Sequence, residues 1–188
     1  MVNKPKIAGT AVETAFVNYL KETGFPYAER RSLQGALDKG DVTGCPGLVW
    51  ECKLAHRGFL LASWLRETNE ERANANADYG ILVCKPRGLG ALSVGQWPAF
   101  MYMREFVLLQ AYAAEHSIGT STAFLDWQVI QVPNTIELMP NLRGLRHQVR
   151  YCPPGQKENI GGWYVGIQVR DMVELVRAAG YGEALGPE

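Results

Sequence analysis

A chain of 188 residues, 47% hydrophobic and 20% charged, is long and apolar enough for one globular domain with a sizeable core, which excludes a disordered chain. Nineteen basic and nineteen acidic residues cancel, so no global field gathers nucleic acid and any such binding must rest on local patches. Cys45, Cys52, Cys84 and Cys152 form no CxxC pair and match no histidine spacing, which argues against zinc and against a disulfide framework. The N-terminus is polar and basic and no stretch approaches the roughly 20 apolar residues of a membrane span, so the expectation is a soluble, cytoplasmic protein with no membrane partner.

Thr10 to Glu22 carries apolar residues at Val12, Phe16, Val17 and Leu20, with Gly24 beyond the last turn, the pattern of an amphipathic helix. Glu13 stands at the edge of the inward stripe, and Thr10-x-x-Glu13 reads as a capping box with the glutamate folded back on the helix start. Tyr27 to Arg31 is a strand-like run. The guanidinium forks of Arg30 and Arg31 suit either a solvated strand edge or a phosphate contact.

Residues 38 to 53 read as two short strands joined by a tight turn at Gly44, Pro46 and Gly47, with Asp41-Val42-Thr43 before it and Leu48 to Leu54 after it. The strand period of two puts Glu51 and Lys53 on one face and Trp50, Cys52 and Leu54 on the other. The apolar face is expected in the core and the charged face open. If the hairpin is symmetric about Pro46, Asp41 lies across from Glu51 with Cβ atoms about 5 Å apart. Carboxylates that close repel, and a folded chain tolerates them best with a cation between them.

Leu60 to about Ala77 reads as a helix with Leu61, Trp64, Leu65, Thr68 and Ala75 inward, and with Arg66, Glu67, Glu70, Glu71 and Arg72 on a solvated side. Tyr79 to Cys84 is a buried central strand by its continuous apolar run. Lys85 and Arg87 follow it, close to where a bound backbone would meet the sheet edge. Gly88 to Gly95 reads as a flexible loop that lacks the Lys-Ser/Thr of a phosphate-binding loop. Trp97 to Met103 is expected as a strand and Arg104 to His116 as a helix. Three short strands are expected at Asp126 to Val132, Ile136 to Met139 and His147 to Cys152. Trp163 to Val169 and Asp171 to Ala179 repeat the preceding strand and helix at an offset of 66 residues, with Trp97 matching Trp163 and Val107 matching Val173. The match is read as two units with the same needs rather than a duplication. Arg143, Arg146, His147 and Arg150 make the most basic segment, either a solvated loop or a DNA contact.

The pattern of Asp41, nine residues, Glu51, one residue and Lys53 resembles the signature of the PD-(D/E)xK nuclease superfamily, in the version where Gly-Asp precedes a turn and Glu-x-Lys follows; Gly40 stands where many members have proline. The element order over about residues 7 to 116 matches as well. The resemblance implies an α/β fold: a restriction-endonuclease-like core, a mixed β-sheet flanked by helices, over residues 1–116. Residues 117–188 would then form a strand-rich C-terminal extension ending in a helix and packed on the core as one globular unit.

For chemistry, the resemblance implies a DNA endonuclease dependent on Mg²⁺, with Mn²⁺ able to substitute. Asp41, Glu51 and the backbone carbonyl of Cys52 would hold the metal. Glu13 would join them, as in resolvase-like members whose N-terminal helix contributes a glutamate. Lys53 would orient or help deprotonate the attacking water, its pKa lowered beside the cation, and the products would carry a 5′-phosphate. The helix glutamate points to Holliday-junction resolvases, including the resolvase-like proteins of bacteriophages. These act on branched DNA as homodimers in recombination and repair, because two symmetric cuts require two sites. Arg30, Arg31, Lys85, Arg87, Arg143, Arg146 and Arg150 are the candidate DNA-binding residues. Other readings stay open: an end-processing, flap or restriction-like nuclease, or a catalytically inactive DNA-binding module on the same fold. A two-carboxylate glycosidase is disfavoured by the adjacent Lys53 and the lack of an aromatic sugar platform.

Overall fold

The computed structural model describes residues 4–32, 37–55, 60–116, 130–131, 149–151 and 163–183. Helix α1 (Lys4–Glu22) leads into two short strands, β1 (Glu29–Arg30) and β2 (Val42–Thr43), and then a long strand, β3 (Leu48–Ala55). Helix α2 (Leu61–Ala75) connects β3 to β4 (Tyr79–Pro86), followed by a 3₁₀ turn at Ala91–Gln96, strand β5 (Pro98–Tyr102) and helix α3 (Met103–His116). Strands β6 (Ile130–Gln131), β7 (Val149–Tyr151) and β8 (Tyr164–Gln168) and helix α4 (Val169–Ala178) complete the order.

The protein is an α/β structure with a mixed sheet flanked by helices. Six strands run in the order β3-β4-β5-β8-β7-β6, while β1 and β2 pair antiparallel as a separate ribbon. Strands β3 and β4 are parallel through the α2 crossover, in a register that sets Trp50 beside Ile81 and Glu51 beside Leu82. Alternation then sorts the side chains. Leu48, Trp50, Tyr79, Ile81 and Val83 join α1, α3 and α4 in the main apolar cluster. Leu82, Cys84 and Phe100 face the other way, onto Leu65 of α2. Phe16 of α1 meets Trp50 edge to face, ring centroids 5.2 Å apart, which fixes α1 over the start of the sheet.

Several expectations change. Helix α1 begins by Lys4, well before Thr10. Pro5 is tolerated in a first turn, where its missing N–H has no partner to lose, so Thr10 is interior and the capping box does not form. Residues 91–96, expected inside a flexible loop, form the 3₁₀ turn, held by Val94 in the core. The hairpin is looser than a ladder: β2 pairs with β1, and the backbone bonds to β3 are Asp41 N–H to Trp50 O and, in the turn, Leu48 N–H to Cys45 O, each at 3.0 Å. The strand expected at 136–139, most of the other two between 126 and 152, Cys152, Arg143 and Arg146 lie outside the described residues.

The chain after residue 116 enters the same sheet. Strand β8 lies against β5, with Pro98 opposite Gln168, Phe100 opposite Gly166 and Tyr102 opposite Tyr164. The 66-residue offset therefore acquires a geometric meaning, because Phe100 faces its own counterpart, Gly166. Met103 N–H donates to Trp163 O and Val169 N–H to Trp97 O, each at 2.8 Å, and these two bonds exchange under the same offset. Strands β5 and β8 thus pair about a local twofold axis, and α3 and α4 follow them at the same offset.

Candidate active site at the edge of the sheet

Strand β3 is an edge of the six-stranded sheet, and Asp41 runs along its free side. The Asp41 backbone is held at both ends, with N–H to Trp50 O at 3.0 Å and C=O accepting from Arg31 N–H at 2.7 Å. Its side-chain Oδ2 accepts the Cys52 N–H at 2.8 Å. Asp41 thus spans Trp50 to Cys52 and brackets Glu51 between its two contacts. Gly40 takes φ of 83°, and a Cβ there would lie 2.7 Å from Val49 Cγ1. Proline, locked near −65°, has no access to that conformation, which explains why glycine precedes this aspartate.

The charged face of β3 is covered rather than open. Glu51 is only 6% exposed, because α2 lies directly over it. The close approach is permitted by Gly80, where a Cβ would sit 3.1 Å from the Thr68 carbonyl oxygen. Lys53 Nζ stands 2.8 Å from Glu51 Oε1 and 3.1 Å from Glu67 Oε2, so α2 supplies the second anion around the lysine. Glu71, one turn further along α2, is 5% exposed and close enough to Glu51 for the two carboxyls to influence each other's ionisation. Because α2 runs back along β3, Glu67 answers Lys53 and Glu71 answers Glu51.

Glu67 and Glu71 were expected on a solvated face; Glu67 is exposed as expected, but Glu71 is buried, and for it the sequence carried the contrary signal. Trp64, Thr68, Glu71 and Ala75 follow a 4-3-4 spacing, a single helical stripe, and Thr68 and Glu71 are both buried. Asp38 was also missed. It accepts the Gly40 N–H on Oδ1 at 3.2 Å, and Asn74 of α2 donates to its carbonyl at 2.8 Å, so the loop before Asp41 is tied to the same helix.

Glu13 approaches from α1. Its Oε2 accepts both Nε and Nη2 of Arg30, at 2.9 and 2.7 Å. This gives Arg30 a partner within the chain rather than a free phosphate-facing fork. Arg31 donates to Val42 O at 3.3 Å and borders a cleft of about 290 Å³ between the 42–48 turn and the end of α2. Lys85 is half-buried beside Leu54, on the strand face opposite to Lys53, and Arg87 is exposed just beyond. Arg150 lies in β7, four strands across the sheet from β3, about 19 Å away at the usual strand spacing. The structure therefore gathers Asp41, Glu51, Lys53 and Glu13, leaves Lys85 and Arg87 at the rim, and separates Arg150.

The electrostatics follow from an excess of acids in a partly dry site. Burial, then the Asp41 charge, push Glu51 up to about 9. Burial, then Asp38, push Glu71 up to about 7. Asp41 is raised by burial and further by Glu13, with the Cys52 N–H bond working against the shift. For Lys53, burial favours the neutral amine, but Glu51 and Glu67 more than reverse it and the net direction is upward. The lysine thus moves opposite to the lowered value expected from the resemblance, and it stays an ammonium. Cys45, Cys52 and Cys84 are free thiols, and burial pushes Cys45 up to about 12, so it is no nucleophile at neutral pH.

Among the described residues no three Asp, Glu, His or Cys side chains are already drawn together as a metal cage. The donor chemistry still suits a hard divalent cation. The Asp41 charge raises the cost of ionising Glu51, Glu13 does the same to Asp41, and Glu71 Oε2 is buried without a hydrogen-bond partner. Carboxylate oxygens are the ligand type that hard divalent cations such as Mg²⁺ and Mn²⁺ prefer. Among the described residues no helix is long and apolar enough to cross a membrane. In comparisons with known proteins, no family model, no curated protein and no solved structure matches this chain.

Proposed function

We propose that this chain is a Mg²⁺-dependent deoxyribonuclease of the PD-(D/E)xK kind, acting on branched DNA as a Holliday-junction resolvase. The observation that carries the reading is the clamp of Asp41 on Cys52 at 2.8 Å, which brackets Glu51 one residue before the Glu51–Lys53 pair closes at 2.8 Å. Supporting it is the order α1-β1-β2-β3-α2-β4 with β3 and β4 parallel. We read that order as a restriction-endonuclease-like core, with β5 to α4 extending its sheet.

In this reading Asp41, Glu51 and the Cys52 carbonyl would hold the metal, Mg²⁺ or Mn²⁺, with Glu13 alongside, and the metal would supply a water of lowered pKa and offset negative charge at phosphorus. The chain's own residues do the rest. Lys53 Nζ, an ammonium braced between Glu51 and Glu67, orients the attacking water and donates to the phosphate oxygen on which charge grows. Water adds to phosphorus, the bond to the 3′-oxygen breaks, and a 5′-phosphate and 3′-hydroxyl result. Glu13, fixed by Arg30, keeps its carboxylate toward Asp41.

The test is cleavage of a labelled four-way junction beside linear duplex and single strand, with Mg²⁺, Mn²⁺ or EDTA, for wild type and Lys53→Ala. Paired symmetric nicks in the junction, lost with EDTA and in the variant, are expected. Metal-dependent cutting of linear DNA alone would replace the resolvase with another nuclease, such as an end-processing exonuclease. No cutting of any substrate would leave a DNA-binding module.

A further inference from the structure

The solvent face of α3 differs from that of every other helix. Val107, Leu108 and Tyr112 are 54%, 51% and 52% exposed, and with exposed Ala111 they form one stripe opposite buried Phe106, Leu109 and Ala113. On α2 the exposed positions include Arg66, Glu67 and Glu70, and on α1 a single large apolar residue, Ile7, is exposed beside Asn18, Lys21 and Glu22. The local twofold supplies a comparison inside the molecule. Val173, the counterpart of Val107 on α4, is 2% exposed, and Arg177, the counterpart of Ala111, packs against Gly24 at the end of α1. The positions of Val107 and Ala111 are thus covered by the chain on α4 and left bare on α3, while the position of Leu108 is taken on α4 by the exposed, charged Glu174.

The stripe ends in opposite charges, Arg104 at the start and Glu115 three turns later, both exposed and neither in an ion pair among the described residues. We infer that the exposed face of α3 joins two copies of this chain, the helices packing antiparallel about a twofold axis. Antiparallel packing sets Arg104 against Glu115 of the other copy, Val107 against Tyr112 and Leu108 against Ala111. Any stripe with this spacing is symmetric in position, but here the residue types are complementary as well: cation meets anion, and a large side chain meets a small one. Parallel packing would set Arg104 against Arg104. Tyr112 is already ordered for contact, its ring stacked on His116 with centroids 6.0 Å apart. A 14-residue helix spans about 21 Å, so the contact between two such faces is small and the association depends on concentration. The resolvase reading implies a homodimer without saying which surface makes it; the choice of the α3 face stands on these observations alone.

Sedimentation velocity of the full chain from low micromolar to near-millimolar concentration tests it. Wild type is expected to pass from monomer to dimer. Leu108→Glu and, separately, Arg104→Glu should each weaken the dimer roughly tenfold, because each change enters the interface twice. Arg104→Glu combined with Glu115→Arg should restore it to near wild type. Both charged positions are on the surface, so the charge exchange decides the matter even if Leu108→Glu perturbs folding. A chain that stays monomeric throughout would overturn the inference and mean that the face is covered by the chain itself or by a different protein. A dimer indifferent to these changes, or not rescued by the exchange, would overturn it too.

Discussion

Asp41 and Cys52 are joined side chain to backbone, Oδ2 accepting the Cys52 N–H at 2.8 Å, so the first acid of the site is also the cap on its edge strand. Structure and chemistry can be separated by substitution. Asp41→Asn keeps the acceptor and loses the charge; it should retain stability within about 1 kcal/mol and lose cleavage. Asp41→Ala should lose cleavage and also leave the N–H unpaired, at a cost of about 1–2 kcal/mol. Urea unfolding beside a junction-cleavage assay reads both, and full activity in either variant would remove Asp41 from the mechanism.

The metal-free protein should lose stability as pH rises. Glu71 and Glu51 ionise near 4.5 when unfolded but near about 7 and about 9 when folded. Between those limits the native state holds more protons than the unfolded state, so unfolding free energy falls with pH, and it is flat with respect to these groups below 4.5. Thermal midpoints at pH 5, 7 and 9 with EDTA should decline in that order. Mg²⁺ should raise the midpoint more at pH 9 than at pH 5. Glu71→Gln should flatten the descent near neutrality, and an unchanged profile in that variant would show that Glu71 does not titrate there.

Because helix α1 starts well before Thr10, Glu13 has no capping duty to lose. Its pair with Arg30 is 38% exposed on the arginine side, and such pairs contribute about 1 kcal/mol or less. Glu13→Gln is therefore expected to lower cleavage strongly while shifting unfolding by no more than that. A stability loss with cleavage intact would assign Glu13 a purely structural role.

Lys53 competes with a cation for Glu51. Removing it in Lys53→Ala should abolish cleavage yet leave Mg²⁺ binding, followed by calorimetry, at least as tight as in wild type, since a positive charge 2.8 Å from Glu51 Oε1 is gone. Weaker Mg²⁺ binding in the variant would show instead that Lys53 holds the site in shape.

Much of the site was legible in the sequence because strand alternation is a local property: Glu51 and Lys53 share a face wherever β3 lies, and Trp50 must oppose them. The Gly-Asp before a turn likewise placed Asp41 across from Glu51, and the 66-residue offset marked two like strand-helix units. Which layer covers the charged face was not local. It depended on α2 crossing back over β3 above Gly80, which buried Glu51 and brought Glu67 and Glu71 down onto it. The partner of Arg30 depended on where α1 crosses β1, and the meeting of Phe100 with Gly166 on a pairing between distant strands. The sequence by itself determined the residue types and their faces, since these follow from backbone periods. Only the tertiary structure decided which acids share one dry pocket and which helix face is left bare, since those depend on how separate elements stack.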